Sequence, residues 1–248
     1  MQILALIPAR GGSKSIPRKN IKMIAGAPLI SYTIKSALES KRINRVIVST
    51  DDKEIAAISE SYGAEVPFLR PSDISGDLST DIEFHRHALD WLKTNENYMP
   101  DMVINLRPTH PIRRPETIDA AIEKFSSRPG ADSLRSIRKS DLSPFKMWTI
   151  NSREEMEPVA ALPNVQEPYN EPRQKLPMAF WQDGYIDITL PKTILEKNST
   201  TGDTIIPFVI EEVCVDIDYQ DEIPKAEKIL LSKQDASKPA DDEQRWPS

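Results

Sequence analysis

The chain has 248 residues, enough to bury a large α/β core in one domain or two small ones. Its 38 acidic residues against 32 Lys and Arg leave a net charge of −6, which argues against general nucleic-acid binding but allows a local cationic pocket. A lone cysteine, Cys214, excludes an internal disulfide, and His85, His87 and His110 show no zinc-ligand spacing with it. No apolar run approaches a membrane span, and the chain opens on a strand without a basic-then-apolar leader. The expectation is a reduced cytoplasmic protein with no membrane or nucleic-acid partner.

Taken in order, the apolar run Ile3 to Ile7 reads as a buried strand that breaks at Gly11-Gly12. Residues 28–40 have helical spacing, and Arg45 to Thr50 form a second buried strand. Asp51-Asp52 are placed to cap a helix from Lys53 to Tyr62, which Gly63 stops. A short strand at Val66 to Leu69 and a loop from Arg70 to about Thr80 precede a helix over 80–92. Met102 to Leu106 is the next strand, and a helix starts at Pro115. Further strands are expected at 132–139, 181–188, 205–210 and 213–218, then a helix over 222–231. Strands alternating with helices predict an α/β fold with a mostly parallel, Rossmann-like sheet flanked by helices. Such sheets bind ligands at the carboxyl ends of their strands, where Arg10, Asp51, Arg70 and Arg107 begin the loops. Residues 140–180 lack periodic signal and read as a functional or interaction arm. Residues 1–233 are expected to form one domain, with a disordered tail over 234–248.

Two constellations carry chemistry. The first is the opening loop, where paired glycines let backbone N–H groups approach a ligand and permit unusual φ values. Arg10, Lys14, Arg18 and Lys19 ring it, as a polyphosphate requires. The loop is neither a Walker A sequence nor a dinucleotide fingerprint, so ATPase and dehydrogenase readings lose weight. The second is Asp216 and Asp218, which on a strand project to one face. Read alone, the pair serves equally as a helix cap. Beside a cationic phosphate loop it is better read as a Mg²⁺ site shared with substrate phosphates. Together the two point to nucleotidyl transfer with a pyrophosphate leaving group.

These residues also carry a resemblance. Pro8-Ala9-Arg10-Gly11-Gly12-Ser13-Lys14 with Ile16-Pro17-Arg18-Lys19-Asn20 closely resembles the signature of the acylneuraminate cytidylyltransferases. The likeness continues through Val48-Ser49-Thr50-Asp51, Leu69-Arg70-Pro71, Leu106 to Arg113, Pro172 to Pro177 and Asp216-Ile217-Asp218. It implies a nucleotidyltransferase that joins CTP to a nonulosonic acid with Mg²⁺, working as a homodimer. By matching position, residues Ala9 to Lys14 with Lys19, Asn20 and Arg70 would hold the nucleotide, Arg10 and Lys19 at its phosphates. Asp216 and Asp218 would bind metal, Asp218 also helping to activate the sugar hydroxyl. Lys146 would belong to the sugar pocket and Arg173 would cross the dimer interface from the arm, although surface charge is an almost equal reading of both.

The departures concern the acceptor. Arg107 stands where sialic acid enzymes have Gln, and Asp183-Gly184-Tyr185-Ile186-Asp187-Ile188 replaces Asn-Gly-Ala-Ile-Tyr-Ile. Arg107, Asp183 and Asp187 are therefore the expected sugar-specificity positions, and an arginine favours an anionic group. Two alternatives stay open. One is a nucleotidyltransferase for a sugar 1-phosphate, using GTP; the other is a catalytically silent nucleotide-binding protein.

Overall fold

A computed structural model describes residues 1–236. The opening run forms β1 (Ile3–Pro8), followed by the small hairpin β2 (Met23–Ile24) and β3 (Ala27–Pro28), then α1 (Leu29–Leu38) and β4 (Arg45–Ser49). Next come α2 (Lys53–Ser61), α3 (Asp81–Glu96), β5 (Met102–Asn105), α4 (Pro115–Ser126) and β6 (Ser133–Lys139). The arm carries a hairpin of β7 (Trp148–Ile150) and β8 (Met156–Pro158). The chain returns through β9 (Phe180–Thr189), α5 (Pro191–Leu195), β10 (Ile205–Val209) and α6 (Ile223–Ala236). Helix α6 thus extends into the expected tail, whose residues from 237 onward lie outside those described.

The six-stranded sheet runs β10-β6-β9-β5-β1-β4. Pairings β1–β4, β1–β5 and β10–β6 are parallel, while β9 runs antiparallel to both β5 and β6. From β1 the chain crosses first to β4 on one side and then to β5 on the other. That switch point opens a crevice above the carboxyl end of β1. The alternation of β1 explains its unbroken apolar run. Ile3, Ala5 and Ile7 pack with Ile30, Ile34, Ile118 and Ile122 on one face. Leu4 and Leu6 pack with Phe84, Leu89 and Leu92 on the other. Both faces are covered by helices, so both phases of the strand must be apolar.

Three local expectations are corrected. Residues 66–69 form no ladder and make only an isolated bridge between Thr50 and Leu69, because Pro67 removes a donor. Residues 213–218 are extended but lie outside the sheet, tied by the Ile217 N–H donating to the Thr109 carbonyl at 2.9 Å. Ile217 packs with Ile223, Ala226 and Leu230 of α6 instead, while Cys214 packs against the main core and Val213 is exposed. Finally, Asp52 alone caps α2, accepting from the N–H groups of Glu54 and Ile55. Asp51 turns the other way, into the opening loop.

A cationic loop facing two carboxylates across one cleft

A cleft of about 700 Å³ lies at the switch point above β1. Arg10, Ser13, Lys14 and Lys19 line it together with Asp216 and Asp218. Ala9 is buried and bonded through its N–H to the Ser49 carbonyl at 3.0 Å, so it fixes the start of the loop without facing the cleft. Asn20, also buried, donates to the Arg10 carbonyl at 2.9 Å and closes the loop's far end. The glycines act differently from expectation. Neither has a positive φ, and the Gly11 N–H donates to Asp51 Oδ1 at 2.8 Å instead of facing a ligand. Gly11 is needed for close approach, since a Cβ there would sit 2.9 Å from Asp52 Oδ2, while at Gly12 a Cβ would meet open space. The residue with the strained left-handed backbone is Arg18 (φ 54°), held by ion pairs to Asp52 and Glu54. Arg18 therefore braces the loop.

The cleft cations are paired with protein carboxylates. Arg10 Nη1 lies 2.7 Å from the Gly76 carbonyl and 3.2 Å from Asp77 Oδ1, and Lys14 Nζ lies 2.7 Å from Asp77 Oδ2. Lys14 and, behind it, Arg10 hold the Asp77 carboxyl below its ordinary pKa. Two cations on one carboxylate is the arrangement a phosphate would demand, and Asp77 occupies it. Sequence reading missed Asp77 because the loop over 70–80 has no periodic pattern.

Lys19 Nζ reaches Asp218 Oδ1 at 2.8 Å, joining the two constellations across 199 positions of chain. Glu222, not either aspartate, accepts from the Asp218 and Tyr219 N–H groups ahead of α6, so the helix-cap alternative falls. Asp216 is more enclosed. Burial pushes its carboxyl up to about 6, against a hydrogen bond from Thr109 that lowers it. Its Oδ1 lies 3.3 Å from His110 Nδ1, and neither atom has a hydrogen-bond partner. His110 Nε2 lies 2.7 Å from the Asp183 carbonyl, which can only accept, so Nδ1 is a bare lone pair. Burial holds His110 well below its usual pKa.

The sugar-side positions separate. Arg107 lines the cleft and ion-pairs with Asp81. Asp183 lies at a bulge where residues 183–186 of β9 bow out opposite Ser136. Ser136 stitches it, its hydroxyl donating to Asp183 Oδ1 at 2.6 Å and accepting from the Ile186 N–H at 2.9 Å. Arg138 Nε takes Asp183 Oδ2 at 2.9 Å. The Asp183 carboxylate is thus consumed inside the fold, and only its backbone and Gly184 shape the cleft. Gly184 has φ +67°, and a Cβ there would come 3.1 Å from the Arg107 side chain. On a regular strand Asp183 and Asp187 would share a face; the bulge sends Asp187 into a separate cavity.

Three expected site residues are elsewhere. Arg70 is buried, its Nε bonded to Ser49 Oγ at 3.0 Å and its guanidinium over the Phe84 ring, so it supports the end of β4 from behind. Lys146 donates to the Tyr169 carbonyl at 2.8 Å within the arm. Arg173, also in the arm, lies 3.8 Å from Asp141. None of the three lines the cleft of its own chain. Arg113 is buried and ties the cleft wall together through bonds to Tyr185, Thr33 and Arg107.

A family model described as cytidylyltransferase matches residues 4–153. Over 239 residues the chain is 35% identical to a CMP-N,N'-diacetyllegionaminic acid synthase of Legionella pneumophila, spanning 95% of this chain and 99% of that protein. It is 42% identical over 125 residues to a pseudaminic acid cytidylyltransferase of Campylobacter jejuni, 50% of this chain and 53% of that one. A solved CMP:2-keto-3-deoxy-manno-octonic acid synthetase complexed with CTP shares the fold at a TM-score of 0.69 and 17% identity, covering 94% of this chain and 100% of that one. On these matches, and with the cationic loop and the Asp216–Asp218 pair lining one cleft, the chain belongs to the acylneuraminate cytidylyltransferase family.

Proposed function

We propose that this enzyme joins CTP to a nonulosonic acid, forming a CMP-sugar and pyrophosphate. The contact between Lys19 and Asp218 carries this reading, because it brings phosphate-binding and metal-binding chemistry to one point. The sugar hydroxyl oxygen forms the new bond to the α-phosphorus, the bond from that phosphorus to the bridging oxygen breaks, and the hydroxyl proton is released. Arg10, Lys14 and Lys19 neutralise charge building on the departing pyrophosphate. Arg107, across the cleft, suits the acid group of the acceptor.

Mg²⁺ fits the acidic side. Asp216 Oδ1 is buried without a hydrogen-bond partner, and Asp218 stands beside it at the cleft. Among the described residues no cluster of three or more His, Cys, Asp or Glu could enclose a metal, which suits an ion that shares its shell with water and phosphate oxygens. When bound, such an ion polarises the phosphoryl group as a Lewis acid. Because burial raises the Asp216 pKa to about 6, a proton competes with the metal below that pH. The apparent Mg²⁺ affinity is expected to fall as pH drops through 6, approaching about tenfold per unit on the acid side. Metal titrations of the rate between pH 5 and 8 test this, and a flat profile would refute it.

Asp77 holds the place of a phosphate, so Asp77→Asn is expected to lower the KM for CTP. Two exposed ion pairs of ordinary strength are lost, which predicts a drop of roughly 2-fold to 30-fold. Initial rates over a CTP series decide it; an unchanged KM would show that Asp77 does not compete.

Pyrophosphate release across four nucleoside triphosphates and a panel of nonulosonic acids and sugar 1-phosphates tests the whole reading. Activity with GTP and a sugar 1-phosphate but none with CTP would replace it. No release with any pair would favour a silent nucleotide-binding protein.

We further propose a homodimer built on the arm, within a single catalytic domain over residues 1–233. Trp148, Ile150, Met156 and Val159 are exposed on and beside the β7–β8 hairpin, an apolar surface fit for a second copy. In that assembly Arg173, and Lys146 with it, would serve the neighbouring cleft. Sedimentation at micromolar concentration should give twice the chain mass, and a monomer would remove this role. No helix among the described residues is long and apolar enough to cross a membrane. Burial raises the Cys214 thiol to about 11, which leaves it unreactive.

A further inference from the structure

Asp183 and Asp216 line the main cleft, and both also line a second cavity of about 320 Å³ beside it. His110 lines the second cavity and not the first, so it stands behind these two residues and away from the reacting atoms.

The His110 ring is buried and held at one edge and one face. Its Nε2 donates to the Asp183 carbonyl at 2.7 Å, since a carbonyl can only accept. Its face packs beside the Tyr185 ring, with centroids 5.5 Å apart. Tyr185 is itself tethered, its hydroxyl donating to Glu212 Oε1 at 2.7 Å and accepting from the Arg114 N–H at 2.9 Å. The remaining edge, Nδ1, is thereby aimed at Asp216 Oδ1 at 3.3 Å.

Neighbouring contacts bring the same segments together. The Ile217 N–H donates to the Thr109 carbonyl at 2.9 Å, and Thr109 also bonds the Asp216 carboxyl. On the opposite wall Ser136 and Arg138 take the Asp183 carboxylate, which leaves its carbonyl to His110. One buried ring thus touches both the backbone of the β9 bulge and the carboxylate of the metal side. A ring packed at interior density cannot yield at one edge without moving the other.

Resting on the CMP-sugar reading, we propose that His110 is a positioning residue that sets the spacing between the acceptor wall and the metal-side carboxylate. Nε2 holds the Asp183 carbonyl and with it the Gly184 bulge, while Nδ1 limits where Asp216 Oδ1 can turn. Groups behind a metal ligand fix its orientation, and losing one typically weakens metal binding about 10- to 100-fold. An amide side chain can reproduce one end of the ring but not both.

The test separates the two ends. His110→Gln can keep an N–H near the Nε2 position and presents nothing at Nδ1. His110→Asn can keep a polar atom near Nδ1 and is too short to reach the Asp183 carbonyl. Mn²⁺ binding to the full chain near neutral pH, read from the free-ion EPR signal, reports the metal side. The acceptor KM at saturating CTP reports the other side, using whichever of N,N'-diacetyllegionaminic, pseudaminic and sialic acid wild type turns over. His110→Gln is expected to weaken Mn²⁺ binding about tenfold or more and to leave the acceptor KM within about twofold. His110→Asn is expected to raise the acceptor KM about 3-fold to 10-fold and to leave Mn²⁺ affinity within about twofold. Thermal melts check folding, and one folded variant suffices because each carries its own pattern. Equal losses on both measures, no change in either, or failure of both variants to fold overturns the positioning role. A wild type that takes up no Mn²⁺ overturns its metal half. A wild type inactive with all three sugars overturns the CMP-sugar reading and the acceptor half with it.

Discussion

Asp218→Asn is expected to lower kcat by about 10²- to 10³-fold, the loss typical of removing one preorganised electrostatic group from a transition-state site. The substitution keeps the shape of the side chain and removes the charge that faces Lys19 at 2.8 Å. It also halves the carboxylate charge available to a metal beside Asp216. Stability should barely change. Asp218 is 57% exposed, and an ion pair that open to water contributes about 1 kcal/mol or less. The two readouts therefore part company: steady-state pyrophosphate release collapses while the thermal midpoint stays within a few degrees. A variant that turned over like wild type would remove Asp218 from the reaction. A variant that unfolded would make it a structural residue instead.

Arg113→Met should do the reverse and lower stability first. The Arg113 side chain is buried, and its guanidinium makes three hydrogen bonds that join separate parts of the cleft wall. Nε donates to the Tyr185 carbonyl in the β9 bulge at 2.8 Å, Nη1 to Thr33 Oγ1 on α1 at 3.0 Å, and Nη2 to the Arg107 carbonyl at 2.9 Å. Burial lowers its pKa to about 10, so it remains charged at neutral pH. Methionine fills much of the volume but supplies no donor. Each acceptor left buried and unpaired costs about 1–3 kcal/mol, partly offset because a desolvated charge is removed. A net loss of about 3 kcal/mol is expected in denaturant unfolding. Activity should fall as well, since the Arg107 backbone and the Gly184 bulge lose their shared anchor. A midpoint shift equivalent to less than about 1 kcal/mol would show that water or repacking satisfies these acceptors.

Much of this protein can be read from residue order, because the relevant physics is local. The unbroken apolar phase of β1 requires helices on both faces, and Asp52 two and three positions before orphan N–H groups makes a cap. The cations of the opening loop and the Asp216–Asp218 pair stand out by side-chain type alone as candidates for phosphate and metal chemistry. Their meeting does not follow from type. It depends on Lys19 finding Asp218 across 199 positions and on Asp77 being carried between Arg10 and Lys14 by a loop without pattern.

The acceptor side shows the same division more sharply. Arg107, Asp183 and Asp187 mark the right region of the chain, but strand periodicity puts the two aspartates on one face. The bulge opposite Ser136 separates them, and that bulge exists because a hydroxyl 47 residues away satisfies both Asp183 and the Ile186 N–H. Residues 213–218 have the composition of a strand and yet join no sheet; Ile217 and Val215 pack in a cluster with α6 residues instead. Local pattern specifies which elements form and what chemistry they carry. Partners distant in sequence specify which carboxylates are consumed inside the fold, which are left facing a ligand, and hence what the cleft can select.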